Sequence, residues 1–322
     1  MNTLILGTLI TASSSSWLGM WMGLEINLLS IIPLMSSLKT KNESEASMKY
    51  FITQAMASTI FVMAIMMNMQ KLMMTENNLM MNAAIMTKMG AAPFHFWFPE
   101  VISGTSWINS LILMTWQKLA PMIILMFLNK EIMFLSVVII SSMVISGIMG
   151  INQTSLRKIM AYSSINHVGW MISSTLKIQS IWTLYFMIYS SISTVVIMML
   201  NKINSFQLNQ LINSMKKSKT MKILFTLNFL SLGGLPPFIG FFPKWITINF
   251  LVENNFLLLS LVMIVMTLMT LYFYLRITFS TMVFMNSETL KFKKMINPFT
   301  MTAMNITILS TLLLCTLLIN FI

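Results

Sequence analysis

Long apolar segments of about twenty residues follow one another along most of this 322-residue sequence. About twenty apolar residues are what an α-helix needs to cross the hydrocarbon core of a bilayer. Only 9% of the residues are charged, against about 25% in ordinary soluble domains. Since a soluble domain of this length needs more charge to cover its surface, the chain is predicted to lie mostly in a membrane. The apolar runs are too long and unbroken for barrel strands, so helices are expected.

The sequence therefore predicts an all-α polytopic membrane protein, with about eleven transmembrane helices in a single transmembrane domain, residues 1–322. The ninth span is expected to be broken in its middle, and the eleventh is an extra C-terminal helix, 299–321. The expected spans are Asn2–Met20, Met22–Leu38, Ser47–Met69, Asn78–Phe98, Thr105–Leu128, Ile132–Gly150, Leu156–Leu176, Ser180–Leu200, Met221–Leu251, Asn255–Phe284 and Phe299–Phe321.

Loop charge predicts which side of the membrane each end faces. Positive loops stay on the cytoplasmic or equivalent side. The loops on the side of the N-terminus carry Lys39, Lys41, Lys49, Arg157, Lys158, Lys202, Lys216, Lys217, Lys219, Lys222, Lys291, Lys293 and Lys294, and the opposite loops carry Lys71, Lys130 and Lys177. The N-terminus is therefore expected on the positive side, and eleven spans put Ile322 on the other side. Because the loops account for the net charge of +12, nucleic acid is not an expected partner.

Two segments of the sequence repeat each other. GAAPFHFWFPE at 90–100 matches GLPPFIGFFPK at 234–244 at five positions, with a constant offset of 144. The copies lie five spans apart, an odd number, so they should cross the membrane in opposite directions. Glycine and proline at membrane depth should break both helices. We therefore expect an inverted-topology repeat with two broken helices and halves of roughly 1–130 and 131–284, an arrangement typical of ion pathways. A simple packing kink is the alternative.

Five ionisable residues stand out inside the expected spans as candidates for a function: Glu25, Lys88, Lys118, His167 and Lys244. A charged group near the bilayer centre costs about 2.5–3.5 kcal/mol on insertion scales, so those that occur usually have a function. An interfacial acid, snorkelling lysines and a structural histidine are the alternatives. Low dielectric disfavours the charged form of such groups and a nearby opposite charge favours it, so a row of lysines headed by a movable glutamate could pass a proton on. No driving reaction is readable in this chain.

The sequence gives little support for a haem, nucleotide, metal or cofactor site. Two histidines are too few for two bis-histidine haems or a haem–copper centre, and neither GxGxxG nor GxxxxGK[ST] occurs. His95 lies in the first repeat, but its counterpart is Ile239. Glu100 and Lys158 are expected at membrane edges. No metal or cofactor site is predicted in this chain.

Five segments carry a family resemblance: WMGLEINLLSIIP, KMGAAPFHFWFPEV, TWQKLAPM, SSINHVGWM and GGLPPFIGFFPKW. Together, in order and in spacing from about residue 17 to residue 250, they resemble the mitochondrially encoded subunit 2 family of NADH–ubiquinone oxidoreductase (respiratory complex I), one of its antiporter-like subunit families. The chain looks like the animal form, which lacks three N-terminal helices of the wider family. An odd number of lost helices agrees with the orientation predicted from the loops.

The resemblance implies a core subunit of the proton-pumping membrane arm. It places Glu25 and Lys88 in a pair, Lys118 at the centre, Lys244 on the second broken helix and His167 on the connecting path. It also implies that NADH, FMN, the iron–sulfur clusters and ubiquinone are bound by other subunits. Other membrane-arm subunits, supernumerary subunits and lipids would be the partners in a hetero-oligomer. The location implied is the mitochondrial inner membrane, with the N-terminus in the matrix and the C-terminus in the intermembrane space.

Two other functions fit the residues. A stand-alone cation/proton antiporter would carry the same repeat and lysines. A purely structural membrane anchor would tolerate Lys88→Leu and Lys118→Leu without functional loss.

Overall fold

The computed structural model describes residues 1–36, 40–69, 74–128, 131–176, 179–215 and 219–283. The expected eleventh span, Phe299–Phe321, and the C-terminus at Ile322 lie outside these residues. So do the loop lysines Lys39, Lys71, Lys130, Lys177, Lys216, Lys217, Lys291, Lys293 and Lys294, and the side chain of Lys219.

The described residues form fourteen α-helices, which confirms the all-α fold. They are α1 Asn2–Ser13, α2 Trp17–Met35, α3 Lys41–Met69, α4 Met74–Met89, α5 Trp97–Gly104, α6 Trp107–Met114, α7 Trp116–Phe127, α8 Ile132–Ile151, α9 Leu156–Thr175, α10 Gln179–Ile203, α11 Leu208–Met215, α12 Lys219–Gly233, α13 Phe241–Glu253 and α14 Leu257–Val283. Apart from an isolated antiparallel bridge between Ser155 and Gln207, this part of the chain has no extended strand.

Each of the ten expected spans within the described ranges corresponds to a helix or to a pair of half-helices, but the first is shorter than expected: α1 ends at Ser13, and residues 17–20 of the expected span Asn2–Met20 belong to α2. Six are long and apolar enough to cross a membrane: α2, α3, α6 with α7, α8, α10 and α14. Two features were not predicted from the sequence. The short helix α11 precedes α12, and a single residue, Thr115, interrupts the fifth span between α6 and α7. The total number of spans remains a prediction, because the eleventh lies outside the described residues.

The chain divides into two compact units, Met1–Ser142 and a second that begins at Met143. In the first unit α2 packs on α1, α3 and α7, and α3 packs on α4 and α5. The α2 helix begins at an N-cap, Ser16, whose side chain accepts a hydrogen bond from the Gly19 amide at 3.2 Å, as N-cap serines do. Glu25 lies in the middle of α2, and its carboxylate is near Lys88 of α4.

In the second unit α9 is buried on every side along almost its full length. Its buried face includes serines as well as apolar residues, and Ser163, Ser164, Ser173 and Ser174 each donate a hydrogen bond to the carbonyl three residues before. Because these hydroxyls are satisfied within the helix, a polar helix can lie in the interior of a membrane protein. Helices α10, α13 and α14 pack against α9.

Candidate functional site

The first repeat breaks the helix after α4. Gly90 follows Met89 with φ +71°, a left-handed conformation that favours glycine. The Gly90 amide donates to the Thr87 carbonyl at 3.2 Å, and the Ala91 amide donates to the Met86 carbonyl at 3.0 Å. These two bonds form a Schellman motif, which satisfies the last carbonyls of a helix. Residues 91–96 then connect α4 to α5.

The second repeat ends α12 with the same motif. Gly234 has φ +76°, its amide donates to the Ser231 carbonyl at 3.1 Å, and the Leu235 amide donates to the Leu230 carbonyl at 3.4 Å. The matching glycines of the two copies therefore have the same backbone role. The two predicted helix breaks are confirmed, whereas the opposite membrane direction of the copies remains a prediction.

Lys88 and Glu25 form a buried pair in the first unit. Lys88 lies in the last turn of α4, and its Nζ atom is 3.8 Å from Glu25 Oε1. The Lys88 side chain is 4% exposed and the Glu25 side chain is 25% exposed. A separation of 3.8 Å is an ion pair rather than a direct hydrogen bond, and Glu25 Oε1 has no hydrogen-bond partner among the described residues. The pair predicted from the sequence is therefore formed, but it is loose.

Lys118 lies on α7, three residues after the interruption at Thr115. It is 2% exposed, and its Nζ atom lies 5.6 Å from the centre of the Phe98 ring, within the range of a cation–π contact. Phe98 belongs to the first repeat and lies at the start of α5, so the first turn of α7 packs against the first repeat. The preceding residue, Gln117, accepts a hydrogen bond from the Tyr50 hydroxyl at 3.3 Å. Lys118 therefore lies in the same unit as the Glu25 pair, in aromatic surroundings.

Lys244 lies in the first turn of α13 and points back across the second break. Its Nζ atom donates a hydrogen bond to the Gly233 carbonyl at 2.8 Å and lies 5.9 Å from the centre of a Trp170 ring. A cation at a helix N-terminus is unfavourable, whereas a cation at a C-terminus is favourable. The ammonium thus leaves the start of its own helix and binds the carbonyl end of α12.

His167 lies on α9, one turn before Trp170. Its Nδ1 atom is 2.8 Å from the Tyr185 hydroxyl, and its ring packs on Tyr189 with the ring centres 4.7 Å apart. Both tyrosines lie on α10, four residues apart, and both are buried. A small cavity of about 10 Å³ touches His167 and both tyrosines, together with Ser231, Gly240 and Pro243 of the second break. His167 is therefore adjacent to the break that carries Lys244.

The other candidates lie outside these contacts. His95 is buried, 3.4 Å from the Pro93 carbonyl and packed against the Phe96 ring. Glu100 accepts a hydrogen bond from Lys49 at 2.9 Å, and both side chains are partly exposed; the membrane edge expected for Glu100 remains a prediction. Lys158 is half-buried.

Some residues of these clusters were not predicted from the sequence. Tyr185 and Tyr189 are spaced to share a helix face, since i and i+4 are neighbours on a helix, but this spacing alone does not show that the face meets His167. Lys222 was assigned to a loop, but it lies within α12 and is 7% exposed. Within the described ranges no group of three or more His, Cys, Asp or Glu residues is placed to hold a metal ion.

Comparison with known proteins identifies similar chains. Residues 14–270 match the family described as NADH:quinone oxidoreductase/Mrp antiporter, TM. The chain is 47% identical over 293 residues to NADH-ubiquinone oxidoreductase chain 2 of Locusta migratoria, covering 89% of this chain and 86% of the relative. It is 50% identical to the protein of the same name from Anopheles gambiae (86% and 83% covered), and 43% identical to that of Dugong dugon (87% and 84% covered).

Solved structures share the fold at low identity. A chain of respiratory complex I from Thermus thermophilus with bound aureothin has a TM-score of 0.85 at 22% identity, covering 97% of this chain and 76% of its own. A chain of the Mrp complex from Dietzia sp. has a TM-score of 0.80 at 13% identity, covering 98% and 74%. Similarity at this level shows the fold alone.

Proposed function

The chain belongs to the NADH-ubiquinone oxidoreductase chain 2 family, and from this premise we propose that it is a core membrane-arm subunit of a proton-pumping NADH:ubiquinone oxidoreductase. Relatives that are 43–50% identical over most of both chains favour this function over a stand-alone cation/proton antiporter. Electrons pass from NADH to ubiquinone in other subunits, which hold the FMN and iron–sulfur clusters. This chain contributes a path for protons across the mitochondrial inner membrane.

The observation that carries the proposal is the loose pair of Glu25 and Lys88 beside a helix break. The two groups attract each other at 3.8 Å without a direct hydrogen bond. The Glu25 carboxylate can therefore move away from Lys88 without breaking a hydrogen bond. When it leaves, the Lys88 ammonium remains in an apolar environment, where an unpaired charge is costly. Its proton then passes to a neighbouring base. A neighbouring subunit can move the Glu25 carboxylate away from Lys88, because a quarter of the Glu25 side chain is exposed and can be reached from outside this chain.

Lys118, His167 and Lys244 complete the proposed path. Lys118 is the proposed proton carrier of the first unit besides Lys88, and His167 and Lys244 are the proposed carriers of the second. All three side chains are almost completely buried, which supports a function, since charges in a membrane interior are expensive to keep. We also propose, from the loop charges, that the N-terminus faces the matrix.

A native gel of gently solubilised membranes tests the assignment. Co-migration of this chain with a very large band that oxidises NADH is expected. Migration as a small species without this activity would instead favour the stand-alone antiporter.

Replacement of Lys118 tests the proton path. In liposomes that contain the assembled complex, Lys118→Met should lower the number of protons moved per NADH oxidised, because a methionine cannot hold the proton. The matched control is Lys41→Met, at the exposed start of α3, which should leave the ratio unchanged. An unchanged ratio in Lys118→Met would count against transport through this subunit.

A further inference from the structure

Tyr185 makes a contact with His167 that the path described above does not use. The hydroxyl of Tyr185 and Nδ1 of His167 are 2.8 Å apart, a short distance for a hydrogen bond between an oxygen and a nitrogen. Both side chains are buried, with 2% and 5% exposed. At such a site the loss of one hydrogen-bond partner is costly, so the contact fixes the orientation of the imidazole.

The other face of the imidazole is held by a second tyrosine. Tyr189 follows Tyr185 by one helical turn, and its ring lies 4.7 Å from the imidazole centre at an interplanar angle of 37°. The Tyr189 hydroxyl is not needed for this packing, since it hydrogen-bonds Ser164. The imidazole is therefore held by one hydrogen bond between Nδ1 and the Tyr185 hydroxyl and by one ring contact with Tyr189.

The partner of Nδ1 determines which nitrogen can exchange a proton. In a neutral imidazole one nitrogen carries hydrogen and the other has the lone pair, and the hydrogen bond of one sets the role of the other. If Nδ1–H donates to the Tyr185 oxygen, Nε2 has the lone pair. An incoming proton then forms an N–H bond at Nε2, and the same bond breaks when the proton leaves. The Nδ1–H bond and its acceptor remain unchanged in both states, so the ring does not have to turn.

We propose that Tyr185 is a positioning residue for His167: its hydroxyl oxygen accepts the hydrogen of Nδ1 and thereby holds the tautomer in which Nε2 exchanges the proton, beside the cavity at the second helix break. This inference rests on the proposed function, because it gives Tyr185 a role only if His167 carries protons. The hydroxyl oxygen accepts from the neutral and the protonated ring alike, whereas a carboxylate in this position would favour the protonated ring alone.

The test uses the assembled complex in liposomes and measures protons moved per NADH oxidised. Tyr185→Phe removes only the hydroxyl and is expected to slow the His167 step roughly tenfold, the equivalent of one lost hydrogen bond. The proton ratio should fall toward that of His167→Gln. The matched control is Tyr162→Phe, which removes the hydroxyl of another buried tyrosine of this unit, on α9. It should retain the wild-type ratio.

A double variant separates positioning from general packing. If Tyr185 acts through His167, Tyr185→Phe combined with His167→Gln should give the same ratio as His167→Gln alone, because coupled residues are not additive. A further decrease in the double variant, or a wild-type ratio in Tyr185→Phe, would overturn the inference. If His167→Gln has no effect, the inference is also wrong, whereas Lys118→Met still tests the proposed function by itself. The NADH-oxidising band on a native gel identifies any variant that fails to assemble. If Tyr185→Phe fails to assemble, Tyr185→Trp replaces it in the test. Tryptophan keeps an aromatic ring and an N–H donor but has no acceptor oxygen, so the same decrease in protons moved per NADH oxidised is expected.

Discussion

Replacement of Gly234 by alanine should damage the second helix break in a way that the structure specifies. The residue has φ +76°, and a left-handed conformation costs an L-residue other than glycine about 1–2 kcal/mol. An alanine Cβ at this position would lie 2.9 Å from both Cδ and Nζ of Lys244. Because this distance is too short, the lysine side chain has to move.

The movement removes the hydrogen bond from Lys244 to the Gly233 carbonyl. Hydrogen bonds of charged groups contribute about 1.5–3 kcal/mol. Together with the backbone strain, the destabilisation of the break is about 2.5–5 kcal/mol. If the flexible ammonium finds another carbonyl at the end of α12, only the backbone strain of about 1–2 kcal/mol remains. In either case the proposed path loses the position of its lysine.

The neighbouring glycine provides the matched control. Gly233 is the last residue of α12 and a Cβ there would meet Tyr274 Cδ2 at 3.5 Å, an ordinary contact. Alanine is favoured over glycine in a helix by about 0.5–1 kcal/mol, so Gly233→Ala should be neutral or slightly stabilising. The two variants add the same methyl group at adjacent positions.

The assay compares the assembled complexes in liposomes. Gly234→Ala is expected to lower the temperature of half-inactivation and the number of protons moved per NADH oxidised, while NADH oxidation itself continues. Gly233→Ala should match the wild type in both. Only the difference between the variants is used, because unfolding of a large complex is not two-state. If the two variants behave alike, the argument from φ and from the Lys244 contact is wrong.

Three further predictions concern contacts outside the path. Arg276→Met should lower the temperature of half-inactivation of the complex, because the guanidinium donates to two backbone carbonyls at the C-terminal end of α8, each bond contributing about 1.5–3 kcal/mol; wild-type stability would show that these bonds are replaced by water. Gly104→Ala should destabilise by about 1–3 kcal/mol, since its Cβ would lie 2.7 Å from the Asn42 carbonyl, and limited proteolysis of the assembled complex should be faster. Lys49→Gln should leave stability and its salt dependence unchanged, because the pairs with both glutamates are exposed; a clear loss in low salt would contradict this.

The sequence was sufficient for the helix breaks, because glycine and proline act locally. Gly90 and Gly234 each need a left-handed conformation that few other residues adopt, so a repeated motif predicts a repeated backbone. The interruption at Thr115 was not predicted, because it contains neither glycine nor proline. Pro121 lies six residues later, but the sequence does not indicate at which turn the helix is interrupted.

The residue pairs were harder to predict than the residues. A buried lysine is conspicuous in an apolar span, so Lys88 and Lys118 could be identified without a structure. Their partners depend on how the helices pack, which no local pattern encodes. Tyr185 resembles any other aromatic residue of a membrane helix until α10 is placed beside α9 and its hydroxyl meets His167.

The two copies of the repeat share a backbone but differ in where their charge lies. Glu100 of the first copy corresponds to Lys244 of the second, yet Glu100 pairs with Lys49 in solvent whereas Lys244 binds the end of α12. Lys88 corresponds instead to apolar Leu232. Each copy thus has one lysine at a helix break, in the last turn of the first half-helix in one case and reaching back from the second half-helix in the other. The carbonyl end of a half-helix, with its partial negative charge, is the common element, and it explains why alignment of the two copies does not align their lysines.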